Sequence, residues 1–238
     1  MVHLRDLVLA GMSHELRTPL NSIIGFSGVM LQGRPGPLTD EQRFQLEILG
    51  RAGAALRLLV DDLLDLERLE AGQALLCPEA VDVSQMVESV VSELALAAAE
   101  KGCILSAEGI DRPTVVVTDA AKVRQILRDL VDNAIKYSDG PRIVVSRRNL
   151  SEKAIAISVV DDGPGIAIDD LDRIFDGFVQ LKPASRFAKN GGSGLGLAIA
   201  ARLAESLGAS LAVKSDVGRG SAFTLALPSR PGGPVPTV

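Results

Sequence analysis

The chain has 238 residues, of which 47% are hydrophobic and 23% charged, and carries a formal net charge of −5. That length admits one large domain or two smaller ones with a proper core, and an acidic balance without a basic run excludes non-specific binding to nucleic acid. The two cysteines, Cys77 and Cys103, make neither a disulfide framework nor a metal-ligand spacing and fit a reducing cytosol.

Near the N-terminus, Arg5 and Asp6 fall where the apolar centre of a signal peptide would lie, so no such signal is read. Leu9, Met12, Leu16, Leu20, Ile23, Phe26 and Met30 then recur at steps of three and four, which predicts an amphipathic helix, and residues 33–37 (GRPGP) stop it. Inside that run lies SHELRTPL, residues 13–20, where Pro19 removes a backbone donor at a cost of about 3 kcal/mol. At about 100° per residue His14 lies opposite Ile23, so its imidazole is expected to face solvent.

A capping box, Thr39 to Gln42, opens the next helix. Leu49, Ala52, Leu56, Leu59, Leu63 and Leu66 follow with alternating three-four spacing, and Val60 and Leu69 widen the stripe. A two-helix hairpin leaves so broad a face uncovered, so two chains are expected to pair into a four-helix bundle; packing against the second half of the same chain stays open as the alternative. No apolar run reaches the roughly 18 residues of a membrane span, since Glu88 and Glu93 interrupt the best one, residues 86–99.

Helical patterns follow at 84–101, 120–137 and 195–207, with strand-like runs at 104–107, 115–118, 142–147, 154–160, 210–214 and 222–227. The class is therefore α+β: a helical hairpin, then a mixed, largely antiparallel sheet covered by helices on one face. Residues 161–194 form a long, Gly-rich connection of the kind that serves as a lid. The expected division is 1–72 for the hairpin, 73–228 for the α/β domain and 229–238 (SRPGGPVPTV) for a disordered tail.

Three stretches of the second domain suit a nucleotide. In DDGPG, residues 161–165, glycines let backbone approach a ligand beside a carboxylate. GGSGLG, residues 191–196, runs straight into a helix and offers N–H groups and a positive dipole end to a phosphate. In DLVDNAIKYS, residues 129–138, Asp129 and Asn133 share a helix face with Lys136 beside them. A carboxylate with an amide oxygen suits Mg2+, and the lysine suits phosphate. Taken singly, an Asp-x-Gly-x-Gly stretch is more often only a turn, and the charged helix face is as compatible with plain solvation.

Together they resemble a family. SHELRTPLNSIIGFS is similar to the phosphoacceptor box of the sensor histidine kinases of two-component systems. DLVDNAIKYS, DDGPGI, IFDGF and GGSGLGLAIA resemble, in order, the N, G1, F and G2 boxes of their ATP-binding domain, and GRGSAFTLALP resembles its last hairpin. The resemblance runs from about Leu4 to Pro228. It implies a dimeric phosphotransfer hairpin followed by an α/β sandwich of the gyrase, chaperone and histidine-kinase (Bergerat) type.

What the resemblance implies for single residues follows. His14 is the nucleophile toward the γ-phosphorus of ATP, since imidazole is largely neutral near pH 7. Glu15 accepts the ring proton, and Thr18 holds a water for phosphatase chemistry. Asp161 accepts from the adenine amino group and repels guanine, while Gly163 and Gly165 shape the base pocket. Gly192, Gly194, Leu195 and Gly196 lie under the phosphates. Asn133 ligates Mg2+ with Asp129 beside it, and Lys136 and Tyr137 contact phosphates. Phe175 and Phe178 anchor the lid by packing on the domain, and Lys182, Arg186 and Lys189 are its γ-phosphate candidates.

The family usually begins its N box with asparagine, where this chain has Asp129. Hydrolytic relatives place a water-activating glutamate there, so an ATPase using Asp129 is the alternative, as is an inactive dimeric scaffold. The implied partners are a second copy of the chain and the receiver domain of a separate response regulator, docking on the hairpin below His14. The implied place is the cytoplasm, as the core of a longer sensor, with no nucleic acid and no membrane contact of its own.

Overall fold

The computed structural model describes residues 2–34, 36–70, 76–138, 140–180 and 194–233, with side chains from Arg17 onward except those of Ala55, Leu58, Asp62 and residues 64–70. The chain divides into two compact units, Met1–Arg68 and Leu69–Val238.

The first unit is a hairpin of α1 (Val2–Leu31) and α2 (Asp40–Glu70). Helix α1 runs unbroken through Pro19. Just past it, the Ser22 hydroxyl donates to the Thr18 carbonyl at 3.0 Å. The expected stop is present: Gly33 takes φ +71°, a left-handed conformation that glycine enters without strain. The capping box is also formed as read, with Gln42 N–H on the Thr39 hydroxyl at 3.2 Å and Thr39 N–H on the Gln42 amide at 3.0 Å.

Small residues let the two helices approach. A Cβ added at Gly53 would stand 3.1 Å from Ile24, and one at Gly50 would stand 3.3 Å from the Ser27 hydroxyl. Ser27 itself is buried and returns its hydroxyl to the Ile23 carbonyl at 2.8 Å. Farther along, Arg17 grips Asp61 through Nε and Nη2, both 2.7 Å from one carboxylate oxygen. Much of the apolar stripe stays open on the single chain: Ile23, Val29, Phe44, Ile48, Leu49, Leu56 and Leu63 are exposed.

The second unit holds a five-stranded sheet in the order β2-β4-β5-β7-β6 and a two-stranded sheet, β1-β3. Its strands are β1 (Glu79–Asp82), β2 (Ile104–Glu108), β3 (Val115–Thr118), β4 (Arg142–Ser151), β5 (Ala154–Asp161), β6 (Ser210–Asp216) and β7 (Gly220–Pro228). All pairings in the larger sheet are antiparallel except β2 on β4, which is parallel. Helices α3 (Val83–Glu100), α4 (Ala120–Tyr137) and α5 (Gly196–Ser206) pack on it.

Alternation along the strands sets the covered face. Ile143 and Val145 on β4, Ile157 and Val159 on β5, and Phe223, Leu225 and Leu227 on β7 are all buried. Opposite them, α4 buries Val123, Ile126, Leu127, Leu130 and Val131, each worth about 2 kcal/mol of apolar burial. The mixed, largely antiparallel sheet with helices against it agrees with the sequence reading, which did not include β1. Both long helices of this unit start on an aspartate that reaches beyond its own turn. Asp82 accepts from Ser84, Gln85 and Thr114 N–H groups. Asp119 accepts from Lys122 and Cys77 N–H groups at 3.1 Å each and pairs with the Lys122 ammonium at 2.8 Å.

Ser229, assigned from sequence to a disordered tail, exchanges backbone hydrogen bonds with Lys153 and Val117. Residues 234–238 of that tail lie outside the described residues. Among the described residues no helix is long and apolar enough to cross a membrane.

Candidate functional site

On β5, β7 and β6 the covered face is apolar until its last row. There the cross-strand register aligns Ile143, Asp161, Ser221 and Ser215 on β4, β5, β7 and β6, and residues directly opposite one another share a face. Asp161 is thus a carboxylate at the rim of a hydrocarbon layer, 7% exposed. It accepts from the Gly163 N–H at 2.8 Å and from the Ser221 N–H. Burial raises its pKa above the ordinary value, the two N–H groups oppose this, and the neighbouring Asp162 charge adds to it. An ionised carboxylate has about four acceptor positions, so these two bonds leave room for a further donor.

The loop that follows is held close on both sides. A Cβ at Gly163 would stand 3.1 Å from the Ser138 Cα and 3.4 Å from the Tyr137 carbonyl, so this turn lies against the C-terminal end of α4. Gly165, at φ +69°, leaves no room for a side chain: a Cβ there would be 2.0 Å from the Asp216 carbonyl. These contacts bring the GRGS turn, the DDGPG loop and the end of the DLVDNAIKYS helix together, as the ordered boxes imply.

On α4, Asn133 is half-buried, and its amide makes no hydrogen bond among the described residues. That leaves its oxygen available to a hard cation, although three His, Cys, Asp or Glu side chains nowhere gather as a metal-holding group among those residues. Lys136 pairs with Asp132 one turn back. Tyr137 and Asp129 are both half-buried and engaged with other groups.

Beside α4, helix α5 begins at Gly196 with buried Leu195 as its N-cap residue, whose own side chain makes no cap hydrogen bond. A helix start presents its first backbone N–H groups and the positive end of its dipole, an arrangement suited to an anion. Gly194, at φ +72°, is locked to Phe178, whose N–H bonds to the Gly194 carbonyl at 3.0 Å. Here the structure corrects the expected anchoring. Phe178 has φ +65° and is 63% exposed. Ile174 is buried in its place and Phe175 is half-buried.

Gly192, Lys182, Arg186 and Lys189 lie outside the described residues. His14 and Glu15 lie on α1, their side chains outside the described set, and Thr18 is exposed one turn beyond. Sequence reasoning assigned no role to Ser221 or Ser215. The signal that could have found them is the register of the last hairpin, which puts both level with Asp161.

Comparison with known proteins agrees with this architecture. Residues 4–72 match the family described as His Kinase A (phospho-acceptor) domain. Residues 118–231 match the Histidine kinase-, DNA gyrase B-, and HSP90-like ATPase family. The chain belongs to the sensor histidine kinases. It is 34% identical over 220 residues to the aerobic respiration control sensor protein ArcB of Escherichia coli K12, covering 92% of this chain and 28% of that protein. It is 37% identical over 225 residues to the circadian input-output histidine kinase CikA of Synechococcus elongatus, covering 93% and 30%. Among solved structures, full-length ShkA in complex with AMPPNP superposes with a TM-score of 0.80 at 32% identity, over 97% of this chain and 46% of that one. The chain therefore spans less than a third of the length of these two curated relatives and corresponds to the catalytic core of such kinases.

Proposed function

We propose that this chain is an ATP-dependent protein-histidine kinase core that phosphorylates its own His14 and passes the phosphoryl group to an aspartate of a separate receiver domain. The observation that carries the reading is Asp161: a buried carboxylate, fixed by two backbone N–H groups with acceptor capacity left, in a unit that also holds the start of α5 and Asn133, whose amide makes no hydrogen bond among the described residues. A carboxylate so fixed accepts from the adenine amino group and repels the oxygen that guanine carries in its place. The α5 N-terminus then takes the phosphates, and Asn133 would hold the Mg2+, which supplies charge neutralisation along them.

In the transfer the His14 imidazole nitrogen forms a bond to the γ-phosphorus, the bond to the β,γ-bridging oxygen breaks and ADP departs. Glu15 takes the ring proton, and Thr18, one turn on, positions a water that removes the phosphoryl group as inorganic phosphate in the separate hydrolytic reaction. The receiver docks below His14, where Thr18, Asn21, Ser22, Gly25, Phe26 and Val29 line an open groove of about 540 Å3. Phe26, 72% exposed, offers it an apolar anchor. The open leucines of α2 support pairing of two hairpins into a four-helix bundle.

The test is incubation with γ-labelled ATP and magnesium followed by acid treatment. Acid-labile label on the protein is expected, and His14→Gln should remove it. Free phosphate without protein label would instead indicate hydrolysis using Asp129, and neither product would indicate a scaffold.

A further inference from the structure

Ser215, on the edge strand β6, makes three contacts that the strand ladder does not need. Its oxygen lies 2.8 Å from the Ile166 N–H, 2.8 Å from the Gly220 carbonyl and 3.1 Å from the Ser221 hydroxyl. A hydroxyl has one proton and two lone pairs, which settles the directions. The Ile166 N–H can only donate and the Gly220 carbonyl can only accept, so the Ser215 proton goes to Gly220. The Ser221 hydroxyl must then donate to Ser215. With all three bonds made, the Ser215 oxygen is saturated.

The partners lead to one place. Ile166 closes the DDGPG loop, and the Ser221 N–H is one of the two donors on the Asp161 carboxylate. Gly220 fits so closely that a Cβ there would lie 1.9 Å from the Asp161 carbonyl. The opposite side of the loop is pinned separately, by the Gly218 N–H on the Pro164 carbonyl at 2.7 Å. Ser215 is therefore the side chain that ties the far end of the base loop to the strand turn holding Asp161.

We propose that Ser215 is a positioning residue for base selection: its hydroxyl sets the Asp161 carboxylate and the base loop at the spacing that accepts a 6-amino purine and rejects a 6-oxo purine. The proposal rests on the reading of Asp161 as the adenine contact. It differs from a purely structural role, because a fold defect would weaken binding of every nucleotide alike, whereas misplacing Asp161 weakens only the part of binding that depends on the 6-amino group.

The experiment is calorimetric titration of ATP and of inosine triphosphate, which carries a 6-oxo group, into the full chain bearing His14→Gln so that no transfer consumes the nucleotide. Ser215→Ala should lower ATP affinity about tenfold, the scale of one well-placed hydrogen bond with its partner left wanting, and leave inosine triphosphate affinity within about twofold. Ser215→Thr, which keeps the hydroxyl, should restore the ratio, and Ser215→Ala added to Asp161→Ala should change ATP affinity no further. Should the alanine variant not fold, Ser215→Cys, similar in shape but a poor hydrogen-bonding partner, is read the same way. An unchanged ratio, an equal loss for both nucleotides, or a further loss in the Asp161→Ala background overturns the proposal while leaving Asp161 in its role. An Asp161→Ala chain that keeps the ratio of the Asp161-containing chain overturns the Asp161 reading and the proposal with it.

Discussion

The two units of this chain close their apolar surfaces in different ways. The second covers its sheet with α4 and α5, leaving Ile126, Leu127, Leu130, Ile157 and Leu225 fully buried. The hairpin buries Leu20, Ser27 and Gly53 among its described side chains and leaves Leu49, Leu56 and Leu63 in the open. A unit that covers its own sheet can bury a carboxylate such as Asp161; a unit that leaves a stripe open on the single chain offers that stripe to a partner. Sequence gives both stripes the same helical period, and burial on the single chain is what separates them.

The sharpest way to break the closed unit is at its tightest backbone approach. Gly220→Ala puts a methyl 1.9 Å from the Asp161 carbonyl at a residue with φ +86°. Steric overlap and left-handed strain together should cost about 3 kcal/mol of stability in this unit, with loss of ATP binding. Thermal unfolding followed by calorimetric titration of ATP would check it, with the unaltered chain as the reference.

A comparable loss is expected from one charge on the open stripe, read in a different measurement. Leu56→Asp sits at a position 49% exposed on the single chain, so the fold of the monomer should hold. In a paired bundle two copies of that carboxylate would be buried without partners, weakening association about a hundredfold. Sedimentation should then show monomers at concentrations where the unaltered chain is dimeric. If the stripe were covered within the chain, unfolding would change and association would not.

Acid sharpens the contrast within the second unit, because its two buried aspartates shift in opposite directions. For Asp119, burial raises the pKa, but the Lys122 ammonium and the N–H groups of Cys77 and Lys122 outweigh it and leave it below 3.8. Its stabilisation is therefore full above the unfolded value of 3.8 and is lost as the pH falls through the lowered folded value. Asp161 is raised above 3.8, so its charged form costs stability at neutral pH, and protonation on acidification relieves that cost. Protonation also removes an acceptor for adenine. The ratio of ATP to inosine triphosphate affinity should accordingly decline at a pH where the fold still holds, and Asp161→Asn should abolish that decline.

The legible part of the fold followed from long, periodic segments. The six strand-like runs and three helical patterns of the second unit are all present, as is the capping box at Thr39. What escaped was short or depended on register. Strand β1 is four residues with polar ends, Glu79 and Asp82, and alternation has too little length there to register. The parallel pairing of β2 with β4 joins elements far apart in sequence, which local pattern does not encode. The site shows the same division. Asp161 and its glycines were legible because a carboxylate at a strand end before a Gly-rich turn is a local pattern. Ser215 and Ser221 act only through alignment of β6 and β7 with β5. Phe178 misled because an aromatic in a loop suggests packing, whereas its place is fixed by a backbone bridge to Gly194 across the lid sequence.

The smallest expected effect lies where the hairpin turns. Thr39→Ala removes the hydroxyl that accepts from Gln42 N–H at 3.2 Å and frees the Gln42 amide from its reciprocal bond at 3.0 Å. Both groups are exposed, so water replaces part of what is lost, and the cost should be about 1 kcal/mol. That loss falls on the first turn of α2, ahead of the leucine stripe, and the second unit does not depend on it. Nucleotide affinity should therefore stay constant while the helical melting of the hairpin moves down by a few degrees. A matching fall in ATP affinity would mean that the two units do not hold their stability separately, and the contrast between a closed site and an open bundle face would have to be redrawn as one cooperative structure.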